Sequence, residues 1–346
     1  MHLHTKITLA KNIKICYFIL LRFNEFIEIE VIYMFDAVLQ AIEEASRIII
    51  HRHSRPDGDA LGSQIGLKHI ILENFPKKEV YIVGDTPGFF SFMEGAVMDE
   101  IPDSHYSNAL AIILDSGSCS MISDQRYTLA RQTVRLDHHI FSEKIADIEV
   151  IDTSFESCCG LVTAFAEEAG LQLNPVSAKA LYTGMVTDSG RFRYDSTGKR
   201  TFHLASLLME QSFDTNALYR DLYADDYASK LMKAQFVLKI KFTENRVAYI
   251  YTNADELTAM DKDVFTVSRG MVNTMADIKG TDIWVNFTEA DGGVLCELRS
   301  SKYNINPIAV KYGGGGHAKA SGAKVADRET AMQMLADLDN LIGESL

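Results

Sequence analysis

Within HRHSRPDGDALGSQIGL, residues 51–67, two histidines and two aspartates occupy the stretch from His51 to Asp59, directly after the apolar run Ile48-Ile49-Ile50. Pro56 forces an extended approach to Asp57, and Gly58 permits a tight turn between the two acids. Similar side chains close three other apolar segments: Asp115 ends AIIL, Asp137-His138-His139 follows VRL, and Asp188 sits in VTDSGRFRY. One aspartate after a strand is usually a helix cap or a turn residue, and adjacent histidines are often ordinary surface residues. Four separate segments each ending in such a side chain are harder to explain that way. Carboxylates gathered at one rim repel one another and raise each other's pKa unless cations lie between them. An oxygen-rich set with one or two imidazoles and no cysteine suits Mn²⁺ or Mg²⁺ better than Zn²⁺. Two ions would best neutralise so many aspartates, so the pattern predicts a two-metal centre.

Positioning such a centre needs a scaffold. RIII (47–50), EVYIV (79–83), ALAIIL (109–114) and VRL (134–136) read as short buried strands, with helical patterns at 60–73, 160–169 and 176–188. This alternation predicts an α/β fold with a mostly parallel sheet and helices on both faces, and ligands in such sheets bind beyond the carboxyl ends of the strands. A second unit begins near 233. QFVLKIKF and RVAYIYTN read as paired strands around TEN, residues 264–278 as a helix, and 328–342 as a closing helix. TDIWVNFTEADGGVLCELRSS carries a hairpin signal at Asp291-Gly292-Gly293. The predicted organisation is an N-terminal appendage over 1–33, a catalytic domain over 34–213, a polar, tyrosine-rich linker over 214–232, and a smaller domain over 233–346.

Composition bounds the partners. The net charge of −13 argues against a binder of long duplex nucleic acid. The apolar run ICYFILL (15–21) is too short to cross a bilayer, and RFNEF follows it in place of a signal-peptide cleavage site, so no membrane association is expected. The five cysteines show no CxxC and no framework spacing, which predicts reduced thiols in the cytoplasm. Charge reverses locally near the C-terminus. Between Leu298 and Ala326 there is no acid, while Arg299, Lys302, Lys311, Lys319 and Lys324 are present. Gly313 to Gly316 lack Cβ atoms, so their amides could approach phosphate oxygens, with His317 as a further donor. The plain alternative is a hinge with lysines on a solvated face.

HSRPDGDALGS, LDSGS, LDHHI and TDSGRF, in that order, resemble the four motifs of the DHH phosphoesterase superfamily. RSS at 299–301 and GGGGHAKASGA at 313–323 resemble the domain that often follows it. The match runs from about residue 47 to 323, and the two-domain layout is similar to the group of nanoRNases and 3′-phosphoadenosine-5′-phosphate phosphatases. One departure is Asp-Ser-Gly at 115–117, where many members have Asp-Thr-Ala; the aspartate is kept. The resemblance implies a parallel-sheet catalytic domain plus a mixed-sheet α/β domain, with the active site in the cleft between them. It implies two Mn²⁺ ions, with Mg²⁺ or Co²⁺ as substitutes. His53 and Asp57 would hold one ion, Asp59, His138 and Asp188 the other, and Asp115 would bridge. Asp137 would orient an imidazole, and His139 would face the substrate. Arg299, Gly314, Gly315, Gly316, His317 and Arg191 would bind it. His51 falls outside the pattern and reads as a polar residue at a strand end. The implied reaction is hydrolysis of very short single-stranded RNA, or of nucleotide phosphates, by an enzyme that could be a homodimer. Rival readings are a cyclic di-AMP phosphodiesterase, a family II pyrophosphatase and a non-catalytic nucleotide sensor.

Overall fold

Ile48, Ile49 and Ile50 are all fully buried, as a β-branched run covered on both faces of a parallel sheet should be. In the computed structural model, which describes residues 34–290 and 292–344, helix α1 (Asp36–Glu44) leads into β1 (Arg47–His51). The segment read as an appendage, 1–33, lies outside the described residues. Helix α2 (Gly58–Asn74) connects to β2 (Glu79–Ile82), followed by β3 (Leu110–Leu114), β4 (Gln132–Asp137) and β5 (Ile148–Ile151). The order is β2-β1-β3-β4-β5, with every pair parallel. The sequence reading missed β5, whose residues are only partly buried.

Helices α3 (Cys158–Glu168), α4 (Pro175–Asp188) and α5 (Lys199–Met209) join α1 and α2 over the face that carries Ile48, Ile50, Ile112, Leu114, Val134 and Leu136. Helices on both faces were expected, and the described residues show them on one. The other face, with Ile49, Ala111 and Ile113, is covered by Tyr106, Ile122, Tyr127 and Ala146 from loops and short 3₁₀ turns. The reason is local: the polar, Gly- and Ser-containing connection from β3 to β4 has no helical apolar stripe.

Close approach of α2 and α4 needs two glycines. A Cβ on Gly62 would stand 2.5 Å from the Ala180 carbonyl, and one on Gly184 would stand 2.2 Å from Cys159 Sγ and 2.9 Å from Asp59 Oδ1. This contact carries Asp188, at the end of α4, towards Asp59 near the start of α2.

The stretch expected as a linker is helical: α6 (Thr215–Tyr223) is followed by α7 (Tyr227–Leu238), and two compact units divide between Leu222 and Tyr223. QFVL therefore belongs to a helix and not to a strand. Asp226 caps α7 by accepting from the Ser229 amide, and Met232, Phe236 and Ile240 line one apolar face at four-residue intervals. Strand β6 is only Lys241–Phe242. It is followed by β7 (Ala248–Thr252), α8 (Ala254–Ala259), α9 (Val264–Met271), β8 (Ile283–Ala290) and β9 (Gly293–Ser300). The helix expected over 264–278 ends at Met271 and passes into a 3₁₀ turn through Met275. Strands β8 and β9 form the predicted hairpin, with Gly292 at a φ of 74°. Helix α10 (Asn306–Lys311), β10 (Gly315–Gly316), β11 (Ala320–Val325) and α11 (Arg328–Gly343) close the unit. Its sheet order is β10-β11-β9-β8-β7-β6, mixed because only β7 and β8 run parallel. No helix among the described residues is long and apolar enough to cross a membrane.

Candidate metal centre and phosphate site

The chain leaves β1 towards β2 on one side, while β3 lies on the other. Such a reversal opens a crevice at the carboxyl ends of the two central strands. His53 follows β1 and Asp115 follows β3, at this point. Asp115 sits at a φ of 49°, an unusual backbone state for a residue with a side chain. Its carboxylate is buried and faces two imidazoles. His53 Nε2 lies 3.5 Å from Asp115 Oδ2 and 3.7 Å from Asp57 Oδ1. His138 Nε2 lies 3.5 Å from Asp115 Oδ1, 3.6 Å from Asp188 Oδ2 and 3.7 Å from Asp59 Oδ2. These gaps are too long for strong hydrogen bonds. They suit ligand atoms sharing one cation, since two donors each about 2.1 Å from an ion stand roughly 3–3.5 Å apart.

Each side chain is held in place. His53 Nδ1 donates to the Ser54 carbonyl at 2.9 Å and His138 Nδ1 to the Phe155 carbonyl at 3.4 Å. Both Nε2 atoms are thereby turned towards the carboxylates, the usual way a protein orients a ligating histidine. Asp57 is the N-cap of α2 and accepts from the amides of Asp59 and Ala60. Asp59 accepts from the Cys158 and Cys159 amides at 2.7 and 2.8 Å, at the start of α3, where the helix dipole favours negative charge. Asp188 ends helix α4, in line with the helical pattern read over 176–188, so this carboxylate arrives from a helix and not from a strand.

The side chains sort into His53 with Asp57 and Asp115, then Asp59 with His138 and Asp188, and a third overlapping set of Asp115 with His138 and His139. Electrostatics point the same way. Burial opposes charge on His53 and His138, yet the facing carboxylates outweigh it and push the imidazoles up to about 11 and about 10. Burial, aided by Asp115 and Asp188, drives Asp59 well above the usual carboxylate range. Burial pushes Asp188 up to about 7, with Asp115 and Asp57 adding to the effect. Burial works against ionisation of Asp115 too, but His138 and His53 hold its carboxyl low. The cluster thus lacks positive charge and takes it from protons. Asp115 Oδ1 is buried with no hydrogen-bond partner. Divalent cations fit this donor set.

His139 stands apart. Its Nδ1 donates to Asp137 Oδ1 at 2.8 Å, and this bond raises the imidazole's pKa. Asp137 is itself gripped by Arg135 Nη2 at 2.5 Å, with both side chains fully buried. Asp137 therefore orients His139 and not the ligand-set histidine. Sequence reading passed over Arg135, which looked like one residue of a buried strand. Arg135→Met should cost about 3–5 kcal/mol, because it takes the guanidinium from the buried Asp137 carboxylate and leaves Oδ2 without that partner. Urea denaturation checks this, and the double variant Arg135→Met/Asp137→Leu should regain most of the loss. Arg52 is a second overlooked residue. Fully buried, it binds the Asp85 side chain at 2.7 Å and the His53 carbonyl at 3.0 Å, while Asp85 accepts from the Arg55 amide at 2.7 Å, fixing the loop that carries His53. His51 joins neither ligand set; it is buried beside Tyr106 and Tyr127, and burial pushes its pKa down to about 4.

Arg191 lies in the turn after Asp188, exposed and at a φ of 64°. The other expected substrate residues lie in the second unit. Arg299 on β9 is opposite Ala320 on β11, and Gly315 and Gly316 on β10 pair with Gly322 and Ser321. The glycine loop differs from the open cradle expected. The amides of Gly313, Gly314 and His317 already donate to the carbonyls of Val310, Ala309 and Ala320. A Cβ on Gly314 would stand 2.1 Å from the Gly322 carbonyl, so here glycine serves close backbone packing. Lys311 pairs with Asp337 at 2.6 Å. Of the side chains expected to meet phosphate here, His317 is exposed and Arg299 is half-buried beside Glu297.

Residues 47–185 match the DHH family, N-terminal domain, and residues 257–344 match the DHHA1 domain. The bifunctional oligoribonuclease and PAP phosphatase NrnA of Bacillus subtilis is 33% identical over 310 residues, covering 89% of this chain and 98% of that protein. The chain belongs to the DHH family of phosphoesterases. DHH phosphoesterases are metal-dependent, and the Asp and His clusters here can bind metal. A solved structure, that of an exopolyphosphatase-related protein from Bacteroides fragilis, superposes with a TM-score of 0.80 at 26% identity, covering 90% of this chain and 97% of that one. The cyclic-di-AMP phosphodiesterase GdpP of Geobacillus thermodenitrificans is 26% identical, and the match spans 84% of this chain and 46% of that protein.

Proposed function

We propose that this enzyme hydrolyses very short oligoribonucleotides, such as pApA, to 5′-mononucleotides, and 3′-phosphoadenosine-5′-phosphate to AMP and phosphate. The observation that carries the reading is buried Asp115 between two ligand sets, joined with His53 and Asp57 on one side and facing His138 of the Asp59–His138–Asp188 set on the other, in a DHH chain matched along 98% of the NrnA relative. His53 and Asp57 would hold one Mn²⁺, Asp59, His138 and Asp188 the other, and Asp115 both; Mg²⁺ or Co²⁺ would substitute. Such ions supply charge for the phosphate oxygens and lower the pKa of bound water. The chain's own residues do the rest. Asp137, fixed by Arg135, keeps Nδ1 of His139 protonated and turns Nε2 outward. In its protonated form, which the Asp137 bond favours, His139 can protonate the departing 3′-oxygen. Arg299 and His317 take the 5′-phosphate of the first nucleotide, with Gly314, Gly315 and Gly316 shaping the loop and Arg191 a further cation.

One geometry then serves both substrates, because each has a 5′-phosphate on one side of the ribose and a phosphorus on the 3′-oxygen. In Mn²⁺ at subsaturating substrate, pApA should turn over at least about tenfold faster than ApA, as expected when a charged hydrogen bond is lost. Equal turnover would contradict the reading. A cyclic dinucleotide has no terminal phosphate for Arg299, and the GdpP match covers under half of that protein, so this alternative ranks second. All the described cysteines are free thiols, which supports a reducing, cytoplasmic setting.

A further inference from the structure

Glu297 is an acid beside a surface read as a phosphate site. It lies two residues before Arg299 on β9, so both side chains leave the same face of the sheet. Glu297 Oε2 lies 3.3 Å from Arg299 Nη2, and the two side chains are 23% and 15% exposed respectively. The sequence from Leu298 to Ala326 has no acid at all, so this carboxylate stands at the edge of a wholly cationic stretch. Across the sheet its neighbours are Asn286 on β8 and Gly322 on β11, and Gly322 is opposite Gly315 on β10. The carboxylate leans over that side-chain-free row: a Cβ on Gly322 would stand 3.7 Å from Glu297 Oε1.

An ionised carboxylate offers only acceptors and repels a nearby phosphate. A ligand with phosphate alone gains nothing from it. A nucleotide brings a hydrogen-bond donor close to its 5′-phosphate. In both proposed substrates the 3′-oxygen of the first ribose is esterified, which leaves the 2′-hydroxyl as the free one. We propose that Glu297 accepts a hydrogen bond from the 2′-hydroxyl of the nucleotide whose 5′-phosphate Arg299 holds. The second unit then reads the sugar as well as the phosphate, and Glu297 is a specificity-determining residue for RNA over DNA. The inference rests on the reading of Arg299 given above.

Trp284, the chain's single tryptophan, is opposite Arg299 in the register and reports binding by fluorescence. The full chain in EDTA, where no turnover occurs, is titrated with pApA and with the same dinucleotide lacking only the 2′-hydroxyl of its first nucleotide. The wild type should prefer the ribose form by about tenfold to a hundredfold, the range for a hydrogen bond to a charged group. Glu297→Ala should erase the preference by weakening only the ribose form. Glu297→Gln keeps size and an acceptor without the charge, and should reduce the preference at least about threefold; it carries the test if the alanine variant fails to fold. No preference in the wild type, an unchanged preference in the variants, or equal weakening of both sugars would overturn the inference, the last because Glu297 would then merely support Arg299. Hydrolysis of pApA in Mn²⁺ is run alongside. Its absence defeats the proposed function, whereas hydrolysis with an unaltered sugar preference defeats only the role of Glu297.

Discussion

Asp115→Asn lowers kcat/KM by roughly 10⁴-fold, the scale seen when one member of a catalytic unit is removed, and it abolishes stabilisation by manganese. The substitution is chosen to disturb little else. Asparagine matches aspartate in shape and tolerates the left-handed backbone that position 115 adopts, with φ at 49°. What it removes is the negative charge shared between His53 and His138. Wild-type protein at a hundred times the dissociation constant should gain about 2.7 kcal/mol per bound ion, because ions bind only the folded state. Thermal melts with and without Mn²⁺ measure this without reference to activity. A variant that keeps the full manganese shift would show that Asp115 does not link the two ligand sets.

Arg299→Ala raises KM for pApA by about 10- to 100-fold, with a smaller change in kcat, and leaves turnover of ApA nearly unchanged. A guanidinium meets phosphate through charge-assisted and often bidentate hydrogen bonds, and their loss falls on binding of the 5′-phosphate. The variant also removes the guanidinium beside Glu297, a pair only 15% and 23% exposed, so a urea melt is run with the kinetics to separate any loss of stability. Arg299→Lys should rescue only part of the affinity, because lysine lacks the planar fork. Kinetics on the two dinucleotides separate this from general damage, which would slow both alike. Equal losses on pApA and ApA would move the phosphate contact elsewhere.

The parts legible from sequence are those whose cause is local. Ile48-Ile49-Ile50 read as a buried strand, and the Gly292 turn declares itself within a few residues. The ligand candidates were readable because each closes an apolar run, and the structure brings His53, Asp57, Asp59, Asp115, His138 and Asp188 into overlapping sets. Features set by distant partners were not readable. A buried arginine looks like a surface arginine until its acid is found, so Arg135 and Arg52 went unmarked. QFVL, 235–238, looks strand-like alone but belongs to a helix whose face packs through Met232 and Phe236. The glycines at 313–316 suggested free amides, whereas several of those amides are used inside the fold. Gly62 and Gly184 carried no signal in the sequence, because their role depends on which helices meet.

The most direct test is a crystal of the full chain grown with manganese, with diffraction recorded on both sides of the manganese absorption edge. Two anomalous peaks should flank the Asp115 carboxylate, one reached by His53 and Asp57, the other by Asp59, His138 and Asp188. Peaks absent from that carboxylate, or ions bound only elsewhere on the chain, would contradict the account.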